Sequence, residues 1–133
     1  MEPDPSMTLP EQSRFHPLDP TRIVYEDPES IAFYDAFPVS PGHTLVVSKE
    51  VTVSIFDLDD VHLASLWQAV DKVRDLLRQK YNPDGFNIGI NDGPTAGQTI
   101  PHGHIHVIPR YKGDTPDPRG GVRWIFPDKA RYW

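Results

Sequence analysis

A chain of 133 residues with 13 basic and 19 acidic side chains, net charge −6, is the size of one domain. Apolar residues make up 38%, enough for a packed core, and the lack of cysteine excludes a disulfide framework, a thiolate zinc site and a cysteine nucleophile. No apolar run approaches the roughly 18 residues needed to span a bilayer. The acidic, Pro-rich start MEPDPSMTLPEQ has neither the basic nor the apolar region of a signal peptide, so a soluble cytoplasmic protein is expected.

Charge divides the chain. Residues 110–133 hold six basic side chains against three acids, while the first 109 hold seven against sixteen, a net −9. So negative a body does not suit nucleic acid, which needs a broad basic face, and no membrane contact is expected either. A small anion held near the basic end remains compatible.

In chain order, residues 1–14 read as a loose tail and 15–133 as one domain. Arg22–Tyr25 and Ile31–Asp35 are strand-like runs around Asp27-Pro28-Glu29, which predicts a hairpin. Thr44–Ser48 is a third strand, after Pro41-Gly42. Fifteen prolines, about twice the ~5% average frequency, avoid only the stretch between Val51 and Asn82. There Leu63, Leu66, Trp67, Val70, Val73 and Leu77 recur at three- and four-residue steps, predicting a helix over 58–80 with Asp57 as its cap. Asn82-Pro83-Asp84-Gly85 ends it. Phe86–Asn91 and His102–Ile108 complete five strands, and 111–133 reads as irregular. The fold class is α+β: a five-stranded, mainly antiparallel sheet, one long helix and a short irregular C-terminal segment.

His102, His104 and His106 carry the chemistry. On a strand they share one face, with Gly103, Ile105 and Val107 on the other. Three histidines at period two make a polar row that packing alone does not explain. Zinc is one use of such a row. However, His102 and His106 would stand roughly 13 Å apart at Cα on a straight strand, too far to share one ion. Two strand ligands with His43 or His62 would still be feasible. The other use is a nucleophile with helpers, since a neutral imidazole attacks through one nitrogen when the other holds its proton against an acceptor. The segment 91–99, Asn-Asp-Gly-Pro-Thr-Ala-Gly-Gln-Thr, places a Gly-rich loop directly before the row, and such loops offer backbone amides to phosphate.

The string Gly97-Gln98-Thr99-Ile100-Pro101-His102-Gly103-His104-Ile105-His106-Val107-Ile108-Pro109-Arg110 resembles the signature of the histidine triad (HIT) superfamily. Asp92-Gly93-Pro94-x-Ala96-Gly97-Gln98-Thr99 is similar to its fragile-histidine-triad branch, whose members cleave dinucleoside polyphosphates, and Pro38-x-Ser40-Pro41-Gly42-His43 also matches. Gly103 departs from the pattern, which has a bulkier apolar residue there. The resemblance implies that His104 attacks the α-phosphorus to give a nucleotidyl-histidine, oriented by His102 through a backbone carbonyl. It implies that His106 and His43 contact the phosphate, and that Gln98 and Thr99 hold the bridging oxygen and leaving group beside Gly97 and Asn91. Asp35 would accept from ribose, and Ile23, Phe33 and Leu45 are candidate walls for the base.

The expected activity is cleavage of dinucleoside polyphosphates such as diadenosine tetraphosphate, or of related nucleotide conjugates. Phosphorolysis and a slow-turnover nucleotide sensor stand as alternatives. No tightly bound cofactor is expected, and Mg²⁺ would enter with the polyphosphate. His16 and His62 fall outside every motif and read as surface residues. The resemblance also implies a homodimer. Trp124, Ile125, Phe126, Tyr132 and Trp133, with Arg110, Arg119 and Arg123 nearby, form the aromatic and arginine mixture of an interface near a nucleotide site.

Overall fold

The computed structural model describes residues 9–133. Asp27 makes the first hairpin: its carboxylate accepts from the amides of Glu29 and Ser30 at 2.8 and 2.7 Å. This turn reverses the chain between β1 (Ile23–Glu26) and β2 (Ser30–Tyr34). β3 (Thr44–Ser48), α1 (Asp60–Tyr81), β4 (Gly85–Ile90), β5 (His104–Arg110) and the single turn α2 (Pro127–Ala130) follow. The strands form one antiparallel sheet in the order β1-β2-β3-β5-β4, the α+β architecture expected from the sequence.

Every strand lies within two residues of its expected position, and the largest shift matters most. β5 begins at His104, not His102. The helix also starts two residues later than expected, which moves the cap. Asp59, not Asp57, caps α1 by accepting from the His62 amide at 2.8 Å, because Asp57 is taken into a 3-10 turn over Ile55–Asp57. Asn82 ends the helix in the left-handed conformation (φ 49°, ψ 51°), its amide donating to the Arg78 carbonyl. Trp67 is also corrected: it is exposed, and Ala69 takes its place in the stripe.

Strand alternation gives the sheet two different faces. Ala32, Val46, Ile105 and Val107 meet Leu66, Ala69, Val70, Val73 and Leu77 of α1 in the larger core. Each of the Val, Ile and Leu side chains contributes about 1.5–3 kcal/mol on burial. On the opposite face Ile31, Phe33, Leu45 and Val47 form a second cluster. The register aligns Leu45 with His106 and Val47 with His104, so β5 adds histidines to that apolar surface.

The second cluster is covered by a segment expected to be loose. Of the tail expected at 1–14, residues 1–8 lie outside the described residues, but Leu9 and Ser13 are each 3% exposed. Leu9, Phe15 and Leu18 pack on the cluster, making residues 9–18 a strap across the sheet. At the other end, residues 119–133 are not irregular throughout. A short 3-10 helix over Gly121–Ile125 precedes α2, and Arg119 lies over the Trp133 ring, 4.3 Å from its centroid. Among the described residues no helix is long and apolar enough to cross a membrane.

Candidate active site

The site begins where the ladder begins. Ahead of β5, the Gly103 amide donates to the Thr52 carbonyl at 2.8 Å, outside the sheet. Backbone from the 53–55 stretch crosses so closely that a Cβ on Gly103 would lie 2.8 Å from the Ile55 nitrogen. Only glycine fits, which accounts for the departure from the family pattern at this position. The tight crossing turns His102 inward, and its ring is almost completely buried.

Partners that can only donate or only accept settle the proton positions on the histidines. His102 Nε2 faces the Ser48 carbonyl at 2.8 Å and therefore carries a proton. Its Nδ1 receives the Ser13 hydroxyl at 2.7 Å. The His102 carbonyl in turn accepts from His104 Nδ1 at 2.8 Å. His104 Nε2 is left as a bare lone pair, on a ring that lines the cavity. Behind His106, His43 Nδ1 accepts the Val39 amide at 3.2 Å, so His43 Nε2–H donates to His106 Nδ1 at 2.9 Å. His106 therefore presents an Nε2–H donor, its ring centroid 5.2 Å from that of His104.

Burial disfavours the charged form of His102, His43 and His106. Desolvation pulls His102 and His43 below the ordinary histidine value. It pulls His106 down to about 4, helped by the neighbouring His104 and His43 and opposed by Asp35. Asp35 stands 3.5 Å from His43 Nε2, while its other oxygen accepts the Phe37 amide at 2.9 Å.

A cavity of about 470 Å³ opens over this face, lined among others by Asp35, Leu45, Asn91, Gly97, Gln98, Thr99, His104 and His106. His102 and His43 stand behind it, and His43 reaches it through His106. Of the expected base walls Leu45 lines the cavity, Phe33 lies fully buried beneath, and Ile23 lines a separate cavity against α1. The glycine loop differs from the open nest expected of it. Its amides at Gly93, Ala96, Gly97 and Gln98 are all bonded within the loop. The Gln98 side chain accepts from Gly93 and donates to the carbonyls of Val53 and Ile100. Gln98 therefore braces the loop, and Thr99, with no hydrogen-bond partner among the described residues, is the loop donor facing the cavity.

The strap supplies residues that sequence reasoning missed. Phe15 stands edge-on to His104, ring centroids 5.3 Å apart at 87°. Arg14 and Arg22 bring positive charge to the rim, His16 lines it as well, and Phe37 adds an exposed aromatic. Apart from the apolar spacing of Leu9, Phe15 and Leu18, no pattern in the sequence marks this segment as docked. His62 is remote, on α1, paired with Asp59 and Glu29. Residues 119–133 do not line the cavity of their own chain.

Asp35, His43 and His106 could offer a metal one atom each, all within 4.8 Å of one another. The His43 tautomer opposes this, because its Nε2 lone pair is occupied by the proton that the Val39 amide forces there.

The HIT domain family matches residues 17–113, nearly three quarters of the chain. The chain belongs to the HIT domain family. It is 38% identical over 94 residues to a Schizosaccharomyces pombe protein named bis(5'-nucleosyl)-tetraphosphatase [asymmetrical], covering 71% of this chain and 52% of that one. It is 37% identical over 97 residues to the Arabidopsis thaliana bifunctional bis(5'-adenosyl)-triphosphatase/adenylylsulfatase FHIT, covering 73% and 54%. These relatives put it with the fragile-histidine-triad-like branch. A crystal structure of a HIT family protein from Bacillus anthracis superposes with a TM-score of 0.66 at 40% identity, covering 69% of this chain and 65% of that one. The chain thus spans about half the length of these two curated relatives. The HIT span of this chain contains all three triad histidines but begins after Ser13 and Phe15.

Proposed function

We propose that this HIT protein is a nucleotide hydrolase that cleaves dinucleoside polyphosphates, or related nucleotide conjugates, at the α-phosphate through a covalent nucleotidyl-His104. The observation that carries this reading is the pairing of a bare His104 Nε2 with a donor-only His106 Nε2–H in one cavity. A nucleophile and an electrophilic helper thus face the same space. Relatives at 36–38% identity named for bis(5'-nucleosyl)-tetraphosphatase and bis(5'-adenosyl)-triphosphatase activities support the substrate class.

In the first step the His104 Nε2 lone pair forms an N–P bond, and the bond from phosphorus to the bridging oxygen breaks, releasing the other nucleotide. Positive charge on the substituted imidazole is held by its Nδ1–H against the His102 carbonyl. His106 Nε2–H donates to a phosphoryl oxygen, with His43 and Asp35 fixing its tautomer from behind. Thr99 holds the departing oxygen. Water then attacks phosphorus, the N–P bond breaks, a nucleoside monophosphate leaves, and one proton passes to solvent. Any Mg²⁺ belongs to the polyphosphate substrate.

Incubation with diadenosine tri- and tetraphosphate, product chromatography and neutral-pH mass spectrometry of quenched protein test this. The expected results are a nucleoside monophosphate product, a nucleotidyl adduct on His104, and loss of turnover by at least about 10³-fold in His104→Ala with the fold retained. Near-wild-type turnover in that variant would remove the mechanism.

A further inference from the structure

His102 does not line the cavity, yet it is clamped on both ring nitrogens. The Ser48 carbonyl at the end of β3 holds Nε2 at 2.8 Å, and the Ser13 hydroxyl holds Nδ1 at 2.7 Å. Both Ser13 and His102 are buried, so neither bond has water as a ready substitute. The Ser13 hydroxyl is oriented as well, since its oxygen accepts the Phe15 amide at 3.1 Å and its proton is left to point at His102. Without it, Nδ1 would be a buried acceptor with no partner.

What this clamp controls is the carbonyl of the same residue. It aims at His104 Nδ1 from 2.8 Å and lies on the backbone just before β5, where Gly103 keeps the chain out of the ladder. That backbone has no strand pairing to hold it; the Gly103 amide bond to Thr52 fixes one side of it, and the clamped His102 side chain fixes the other. A displacement of about 1 Å at such a point can cost on the order of 100-fold in rate, because the attacking nitrogen loses its aim.

We propose that Ser13, in the strap that precedes the HIT span, is a positioning residue for the His104 nucleophile, acting through His102. The inference rests on the reading of His104 as nucleophile. It assigns to the strap a role in catalysis in addition to its burial of the second apolar cluster. Ser13 touches no substrate, so its removal changes the rate of attack and not the affinity.

The test compares Ser13→Ala with Leu9→Ala, which loosens the same strap through its apolar anchor and leaves the hydrogen bonds in place. Ser13→Ala should lower kcat by at least about tenfold with KM within about twofold. Leu9→Ala should lose stability and keep kcat at temperatures where it is folded. If Ser13→Ala folds poorly, Ser13→Cys keeps the size with a much weaker donor and carries the same expectation. In parallel, NMR of ¹⁵N-histidine-labelled protein follows the His104 Nδ1–H proton, a readout that needs no turnover. It should exchange with solvent slowly in the wild type and in Leu9→Ala, and rapidly in Ser13→Ala. A kcat within twofold of wild type, an equal loss of kcat in Leu9→Ala, or an unchanged Nδ1–H signal would overturn the role of Ser13. Absence of wild-type turnover on every dinucleotide would instead overturn the proposed activity, with the NMR comparison still deciding whether Ser13 holds His104.

Discussion

Gly103 illustrates how one residue sets the site. Its sequence signal was only a departure from the family pattern. The crossing backbone at Ile55, which no local pattern reveals, explains the departure. Gly103→Ala is expected to destabilise the protein by about 1–3 kcal/mol through forced displacement of that backbone, and to lower turnover further by shifting His102. Urea unfolding and steady-state kinetics on the same variant check both. His106 gives a second expectation. Its value near 4 lies below the usual 6.5, so the unfolded chain binds more protons between those limits. Stability supplied by the neutral ring is complete above about pH 6.5 and falls as the pH drops toward 4. The thermal midpoint of the wild type should therefore fall more over that range than that of His106→Asn, measured by calorimetry in matched buffers.

Elements were legible where a period was strong. The proline-free stripe located α1, alternation located the histidine strand, and turn residues beside short apolar runs located the other four. Their ends were less legible. Asp57, Asp59 and Asp60 are all chemically able to cap, and only the 3-10 turn over Ile55–Asp57 selects Asp59. Asp59→Ala should accordingly lower the thermal midpoint measurably, while Asp57→Ala should change it much less, as circular dichroism melts can show. Likewise the row at His102, His104 and His106 was visible as a row. That His102 leaves the strand and turns inward follows from a contact 48 to 50 residues away in sequence, between Gly103 and the 53–55 stretch. The strap was invisible for the same reason: its partners Phe33 and His102 lie far along the chain, and a short Pro-rich segment has no period of its own.

For the whole molecule, the charge division finds its use in the cavity. A body of net −9 still collects Arg14 and Arg22 at the rim of the face that carries the histidines, the polarity an anionic substrate needs. The C-terminal segment packs largely on its own residues. Arg119, Arg123 and Arg131 stack on Trp133, Tyr132 and Trp124 of the same segment, and Arg123 also binds the Ala130 carbonyl. It folds on itself and lies away from the cavity of its own chain. A dimer with Val122, Ile125 and Phe126 at its contact is the arrangement we propose, since these side chains are 67%, 78% and 65% exposed. Light scattering at micromolar concentration should give twice the chain mass, and removal of residues 119–133 should raise KM or abolish dimerisation. A monomer with unchanged KM would dismiss the arrangement.

The strap has a consequence for how activity and folding come apart. Its apolar side chains pack on β2 and β3, but its one bond to the nucleophile's support reaches His102, 89 residues away in sequence. Held by one small apolar cluster and a few hydrogen bonds, it belongs to the weaker of the two sides of the sheet, whereas α1 seals the larger core. Partial opening can thus release the strap and leave the helix-backed sheet intact. Such a state keeps its circular dichroism yet has lost the clamp on its nucleophile. On gentle denaturation, then, this protein should fall silent before it unfolds.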